Sequence, residues 1–302
     1  MEANLKWVLI TAIAPVAWGT TYFVTRHFLP VDYPLYGAVI RALPAGLFLL
    51  AITRKRPHGS WWWKSLVLGT LNVGTFFILV YLAAQLLPSS IASTLMASSA
   101  AVMMLLAWPI LSERPGIFSI IGAATGFSGV CIMLLTGTES VNLFGVLASL
   151  AAMALSSIGY ILTKKWGPDV SILALTSWQL IAGALVVAPI AVMTEGAFPY
   201  LDAQALLGFS YVTFLATALA FAAWFAGLRH LRAGTVGIIG LLNPVTGVLL
   251  GVFIASEPFG PRQIIGTILV LLGVLIGQQK NGSFDRLRPK KLPLIDRTKS
   301  QP

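Results

Sequence analysis

The side chains able to do covalent chemistry are few and poorly placed for it. Ser128 stands in Gly126-Phe127-Ser128-Gly129, a short motif that could present a serine nucleophile. A serine nucleophile needs a base within hydrogen-bond reach. The three histidines, His27, His58 and His230, fall at the ends of apolar runs or in a polar link between them. No Asp or Glu sits in the middle of an apolar run, and the single cysteine, Cys131, has no partner for a disulfide or a metal site. Phosphate-binding loops, His-Glu-x-x-His zinc motifs and dinucleotide fingerprints are absent from the sequence. The expectation is a protein that is not an enzyme, takes no cofactor or metal, and implies no ATPase subunit.

What remains is binding chemistry. Arg41 lies deep in an apolar run, roughly 12 Å from its end at about 1.5 Å per helical residue. A charge at that depth costs about 2.5–3.5 kcal/mol on insertion scales, so it must face a partner or a wet cavity. Either it attracts a solute carboxylate, or it donates to carbonyls at a kinked helix end or snorkels outward. Other apolar runs carry polar and aromatic residues that could line the same cavity. Trp18 and Tyr22 lie on the first, Asn72 and Tyr81 on the third, and Ser98 and Ser99 on the fourth. Later runs add Tyr160, then Trp178 and Gln179, then Trp224 and Asn243. Buried polar groups require partners, and a solute site supplies them. A cavity of Trp and Tyr with few polar groups suits a mainly apolar solute, such as an aromatic or aliphatic amino acid. Glu113 and Glu257 sit at helix ends, where each could gate or couple transport by accepting N–H bonds at the next helix start, or simply cap a turn.

The elements that must position these residues are membrane helices. Of 302 residues, 57% are hydrophobic and 10% charged, against about 25% charged in a soluble domain. Apolar runs of about 20 residues, the length that spans a bilayer core, recur at 7–27, 33–53, 64–86, 90–111, 116–136, 142–164, 171–193, 203–229, 233–255 and 260–279. Short links make consecutive helices antiparallel neighbours. With the N-terminus inside, inside segments carry 17 basic residues and outside segments 2. That asymmetry places both termini in the cytoplasm. It also assigns the +10 net charge to topology and to anionic lipid, not to nucleic acid. Trp61-Trp62-Trp63 reads as an aromatic belt at the inner interface. The basic segment 281–302 reads as a flexible cytoplasmic tail.

The chain also repeats itself. Shifted by 144, residues 87–132 align with 231–276 without a gap, pairing Ser112-Glu113 with Ser256-Glu257, Ile120-Ile121-Gly122 with Ile264-Ile265-Gly266, and Gly129-Val130 with Gly273-Val274. Earlier in each half, Tyr22 matches Tyr160 and Thr25 matches Thr163 at an offset of 138. Each half (1–139 and 140–280) holds five spans, an odd number, so the second enters the membrane from the opposite side. The fold expected is an all-α integral membrane protein of ten transmembrane helices in two inverted five-helix repeats. In such repeats the solute site lies near the midplane between the halves.

At these residues the chain resembles the ten-helix, EamA-type branch of the drug/metabolite transporter superfamily. Arg41 in the second span, Glu113-Arg114 and Glu257-Pro258 before the Ile-Ile-Gly…Gly-Val helices, and Asn243-Pro244 in the ninth span carry the likeness over 1–279. It departs where Ala100 stands opposite Pro244. The resemblance implies a secondary transporter of small molecules, and the aromatic-rich spans are more similar to bacterial amino-acid exporters than to sugar-phosphate or nucleotide-sugar carriers. Drug export and a passive channel are the alternatives. The four-helix members of the superfamily use a membrane glutamate for proton exchange, for which this sequence has no counterpart, so a facilitator or coupling through a terminal glutamate is expected. Solute, coupling ion and oligomeric state stay open.

Overall fold

The computed structural model describes residues 2–30, 32–87, 92, 95–96, 99–134, 142–254 and 260–277. Ser98, Glu257 and the basic tail lie outside these described residues. The described chain is all helical. Its helices are α1 Glu2–Phe28, α2 Pro34–Thr53, α3 Trp61–Leu86, α4 Ser99–Leu111, α5 Ile117–Leu134 and α6 Leu143–Trp166. They continue with α7 Ile172–Thr194, α8 Ala203–His230, α9 Ala233–Ile239, α10 Leu242–Phe253 and α11 Pro261–Gly277. Six of them are long and apolar enough to cross a membrane, and four shorter apolar stretches (Ser99–Leu111, Ile117–Gly129, Ala233–Gly247 and Ile264–Gly277) fill the remaining places.

Local chemistry sets several boundaries. Pro34 opens α2, where a missing N–H costs nothing. Asn142 caps α6 by accepting from the N–H groups of Phe144 and Gly145, and Asp202 caps α8 through Ala205. The expected continuous ninth span is broken into α9 and α10. Pro244 cannot donate to the carbonyl of Gly240, and its ring crowds that oxygen. The helix therefore tightens there, with Leu241 N–H donating to Ile238 O and Asn243 N–H to Gly240 O.

The packing is two-fold. α1 lies on the second half of α8 and on α10; its counterpart α6 lies on the second half of α3 and on α4. The second helices of the halves, α2 and α7, pack on each other, as do the fifth, α5 and α11. In that last pair, a Cβ on Gly122 would stand 2.5 Å from Gly273 O, and one on Gly129 2.6 Å from Gly266 O. The register runs antiparallel and exchanges its members under the 144-residue shift. Lipid tails are as apolar as leucine, so such backbone-to-backbone packing is a main source of helix association in a membrane. Even the irregularities match: α3 and α8 each contain a π-helical stretch, Thr70–Gly74 and Phe214–Leu219, whose first residues are 144 apart.

Candidate functional site

An aromatic cluster fills the seam between the halves. Trp18 of α1 packs with ring centroids 5.1 Å from Trp224 and 5.2 Å from Phe221, both of α8. Tyr160 of α6 stands 5.5 Å from Trp224 and 6.4 Å from Trp18. The Trp18 Nε1–H donates to Ala216 O at 2.9 Å. Trp224 Nε1 and Asn243 Oδ1 have no partner, although the two residues are only 2% and 7% exposed. Both lie at the break in the ninth span: a Cβ on Gly240 would lie 3.3 Å from the Trp224 ring, and Asn243 is the second residue of α10. Leaving a buried polar group unpaired costs about 1–3 kcal/mol.

Arg41 adjoins this cluster. It is 8% exposed, its Nε–H donates to Thr217 Oγ1 at 2.6 Å, and its Nη2 donates to Ala216 O at 3.1 Å. The guanidinium lies 4.1 Å over the Phe77 ring, within electrostatic reach of the Tyr22 and Tyr160 hydroxyls. Among the described residues no carboxylate is paired with it; Glu113 is paired with Lys164. A cavity of about 10 Å³, lined by Arg41, Thr25, Phe77, Val80 and Tyr81 among others, leads away from it. That is room for roughly one water.

The other sequence candidates separate from this group. Asn72 donates to Gln179 Oε1 at 2.7 Å and to Thr163 Oγ1 at 3.1 Å, forming a second polar cluster on the α3 π stretch. Trp178 lies apart, at the end of the bundle that holds Lys55: its Nε1–H donates to Lys55 O, and its ring packs 5.7 Å from Trp61. The tryptophan belt is therefore partial. Trp62 and Trp63 are 65% and 52% exposed, but Trp61 is 7% exposed, because successive helical residues point about 100° apart and only one of three can face inward. Ser99 opens α4 and is half-buried.

Tyr81 and Glu113 stand at opposite ends of the bundle. At the end away from the N-terminus, the Tyr81 hydroxyl donates to Pro30 O, and the ring lies against Gly37. Glu195 of the α7 end accepts from Leu35 N–H and Tyr36 N–H at 2.7 and 2.8 Å, a carboxylate on the positive end of α2. At the N-terminal end, Glu113 Oε1 pairs with Lys164 Nζ at 2.7 Å, and its Oε2 accepts from Ala233 N–H at 2.8 Å. The helix start that Glu113 holds is thus α9, in the other half, not α5, which follows it in sequence. Lys164 also donates to Leu231 O at 2.6 Å. Lys164, Thr217 and Glu195 do not stand out in the sequence as site residues. The repeat offers the one signal: Lys164 and Thr163 align with Arg26 and Thr25.

This fold and seam define a membrane transporter, and comparison with known proteins identifies its class. The profile of the EamA-like transporter family matches the chain twice, over 5–135 and 143–276. The chain belongs to the EamA-like transporter family, within the drug/metabolite transporter superfamily; its members are transporters, not enzymes. It is 34% identical to protein PecM of Dickeya dadantii over 286 residues, covering 94% of this chain and 96% of that one. It is 26% identical to a probable amino-acid metabolite efflux pump of Salmonella typhimurium, covering 88% and 93% of the two chains. A solved crystal structure superposes with a TM-score of 0.75 at 16% identity, over 90% of this chain and 98% of its own, a likeness of fold.

Proposed function

We propose that this protein is a secondary exporter of small metabolites with an aromatic or otherwise apolar body, amino acids foremost, working by alternating access. The observation that carries this is the seam itself. Aromatic rings from both halves meet there, the buried Trp224 Nε1 among them has no partner, and the Arg41 cation shares the Ala216 carbonyl with Trp18. Similarity to the probable amino-acid metabolite efflux pump supports the same solute class. The halves 1–139 and 140–280 act as the two bodies, and 281–302 is a cytoplasmic tail. Both termini face the cytoplasm of a bacterial inner membrane, as the basic residues favour. Glu113–Lys164 then closes the cytoplasmic side, and Tyr81–Pro30 with Glu195 the outer side. Closures at both ends favour alternating gates over a passive channel. The test is counterflow in liposomes holding the purified full-length protein, with Phe, Trp, Met and Thr against sugars, nucleotides and organic cations. Saturable, trans-stimulated amino-acid exchange is expected. Exchange confined to the other solutes removes the amino-acid assignment, and non-saturable flux without trans-stimulation removes alternating access.

A further inference from the structure

Arg41 and Gln179 occupy matching places in α2 and α7, 138 residues apart. Each reaches into the π-helical stretch of a long helix from the opposite half. A π turn carries an extra residue, so its carbonyls lose their regular helical partners. Beside the α3 stretch two neutral amides bond to each other: Gln179 Oε1 accepts from Asn72 Nδ2 at 2.7 Å, and its Nε2 donates to Leu175 O at 3.3 Å. Beside the α8 stretch Arg41 brings a cation that does donate to a π-stretch carbonyl. Its partners, Ala216 O and Thr217 Oγ1, are neutral dipoles, and Ala216 O is shared with the Trp18 indole. Dipoles orient a buried charge without neutralising it. A carboxylate makes shorter and stronger bonds to a guanidinium, two at once in the bidentate form.

From this contrast we propose that Arg41 is the carboxylate subsite of the transport cavity, and that Ala216 O and Thr217 Oγ1 are placeholders for the solute's carboxylate. An arriving carboxylate draws the guanidinium from the π stretch of α8, which is then free to shift against α2. Binding of the anion is thereby linked to movement of the second half. The apolar body of the solute lies against the aromatic rings beside Phe77 and Tyr160, and the small cavity lined by Arg41 and Tyr81 lies on the side by which an exported solute leaves. The solutes selected are monocarboxylates on an apolar or aromatic body, in preference to amines of the same shape. This inference rests on the exporter reading and narrows it.

The test is counterflow of 3-phenylpropionate, L-phenylalanine and phenethylamine in proteoliposomes of the full-length protein and of Arg41→Gln, Arg41→Lys and Thr217→Val. The native protein is expected to favour the two acids over the amine by about tenfold in apparent affinity. Arg41→Gln, monodisperse and helical in detergent, should lose that preference, and Arg41→Lys should restore it. Thr217→Val removes one placeholder, so acid affinity should rise about threefold; a purely structural arginine would not give this gain. Equal exchange of amine and acids by the native protein overturns the proposal, as does an Arg41→Gln variant that keeps the preference. If Arg41→Gln fails to fold, Thr217→Val decides: unchanged or weakened acid affinity overturns the placeholder role. Absence of exchange of both acids overturns the subsite outright. The exporter reading survives that outcome if another solute of the wider panel exchanges, and falls only if none does.

Discussion

The Gln179 and Arg41 clusters are copies of one arrangement that have diverged in charge. On the α3 side, three neutral side chains, Asn72, Thr163 and Gln179, are fully buried and bonded to each other. Asn72 Oδ1 alone stays bare, with Gly159 pressed against it. On the α8 side a cation is held by one carbonyl and one hydroxyl, beside rings that include an unpartnered indole. The first cluster ties α3, α6 and α7 together and gains stability from the bonds. The second holds a charge whose burial opposes folding, a feature worth keeping where an anion is to bind. On the proposal above, one of the two contacts between the halves is a fixed joint and the other a responsive one.

That contrast can be tested by substitution, beginning with the largest effect. A Cβ at position 159 would stand 1.9 Å from Asn72 Oδ1. Gly159→Ala should therefore force the α3 joint apart at a cost of about 3 kcal/mol, with a clear drop in the thermal midpoint in detergent. A midpoint unchanged from the native protein means the joint is looser than described. Next is a pair. Gln179→Leu takes one of the two acceptors from the Asn72 amide and should cost about 2 kcal/mol. Arg41→Met removes a buried, uncompensated charge, and its midpoint should stay within about 1 kcal/mol of native or rise, while acid transport collapses. Equal destabilisation by the two substitutions would erase the distinction between the joints.

The smallest effect is expected at the N-terminal closure. Glu113→Gln loses the ion pair with Lys164 but keeps an oxygen for Ala233 N–H. The cost should be about 1 kcal/mol, seen as faster maleimide labelling of a cysteine placed at Thr235 in a Cys131→Ser background. Labelling no faster than in the Glu113-containing control shows that this contact does not close that side.

Much of the architecture was legible beforehand, because hydrocarbon thickness fixes helix length and the repeat fixes how the helices pair. The 144-residue shift that aligns Gly122 with Gly266 also places them against Gly273 and Gly129 in the α5–α11 contact. The break of the ninth span follows from Pro244, which has no N–H for Gly240 O. The site was less legible. Trp178 and Trp224 are both tryptophans in apolar helices, yet the first bonds to Lys55 O near the end of the bundle and the second faces Trp18 at the seam. Arg41 could be recognised as needing a partner, but Ala216 offers no side-chain signal of its own, because its contribution is a carbonyl exposed by a π turn.

By itself, then, the sequence determined the apolar lengths, the inverted duplication and the presence of one arginine too deep to stay unpaired. Tertiary structure decided what that arginine touches, which aromatic rings meet, and that Glu113 holds α9 of the opposite half. The reason is physical. In a soluble helix an apolar stripe marks the buried face, whereas a membrane helix is apolar towards lipid and towards its neighbours alike. Its inward face is set only when small residues, π turns and buried polar groups find their counterparts in the other half.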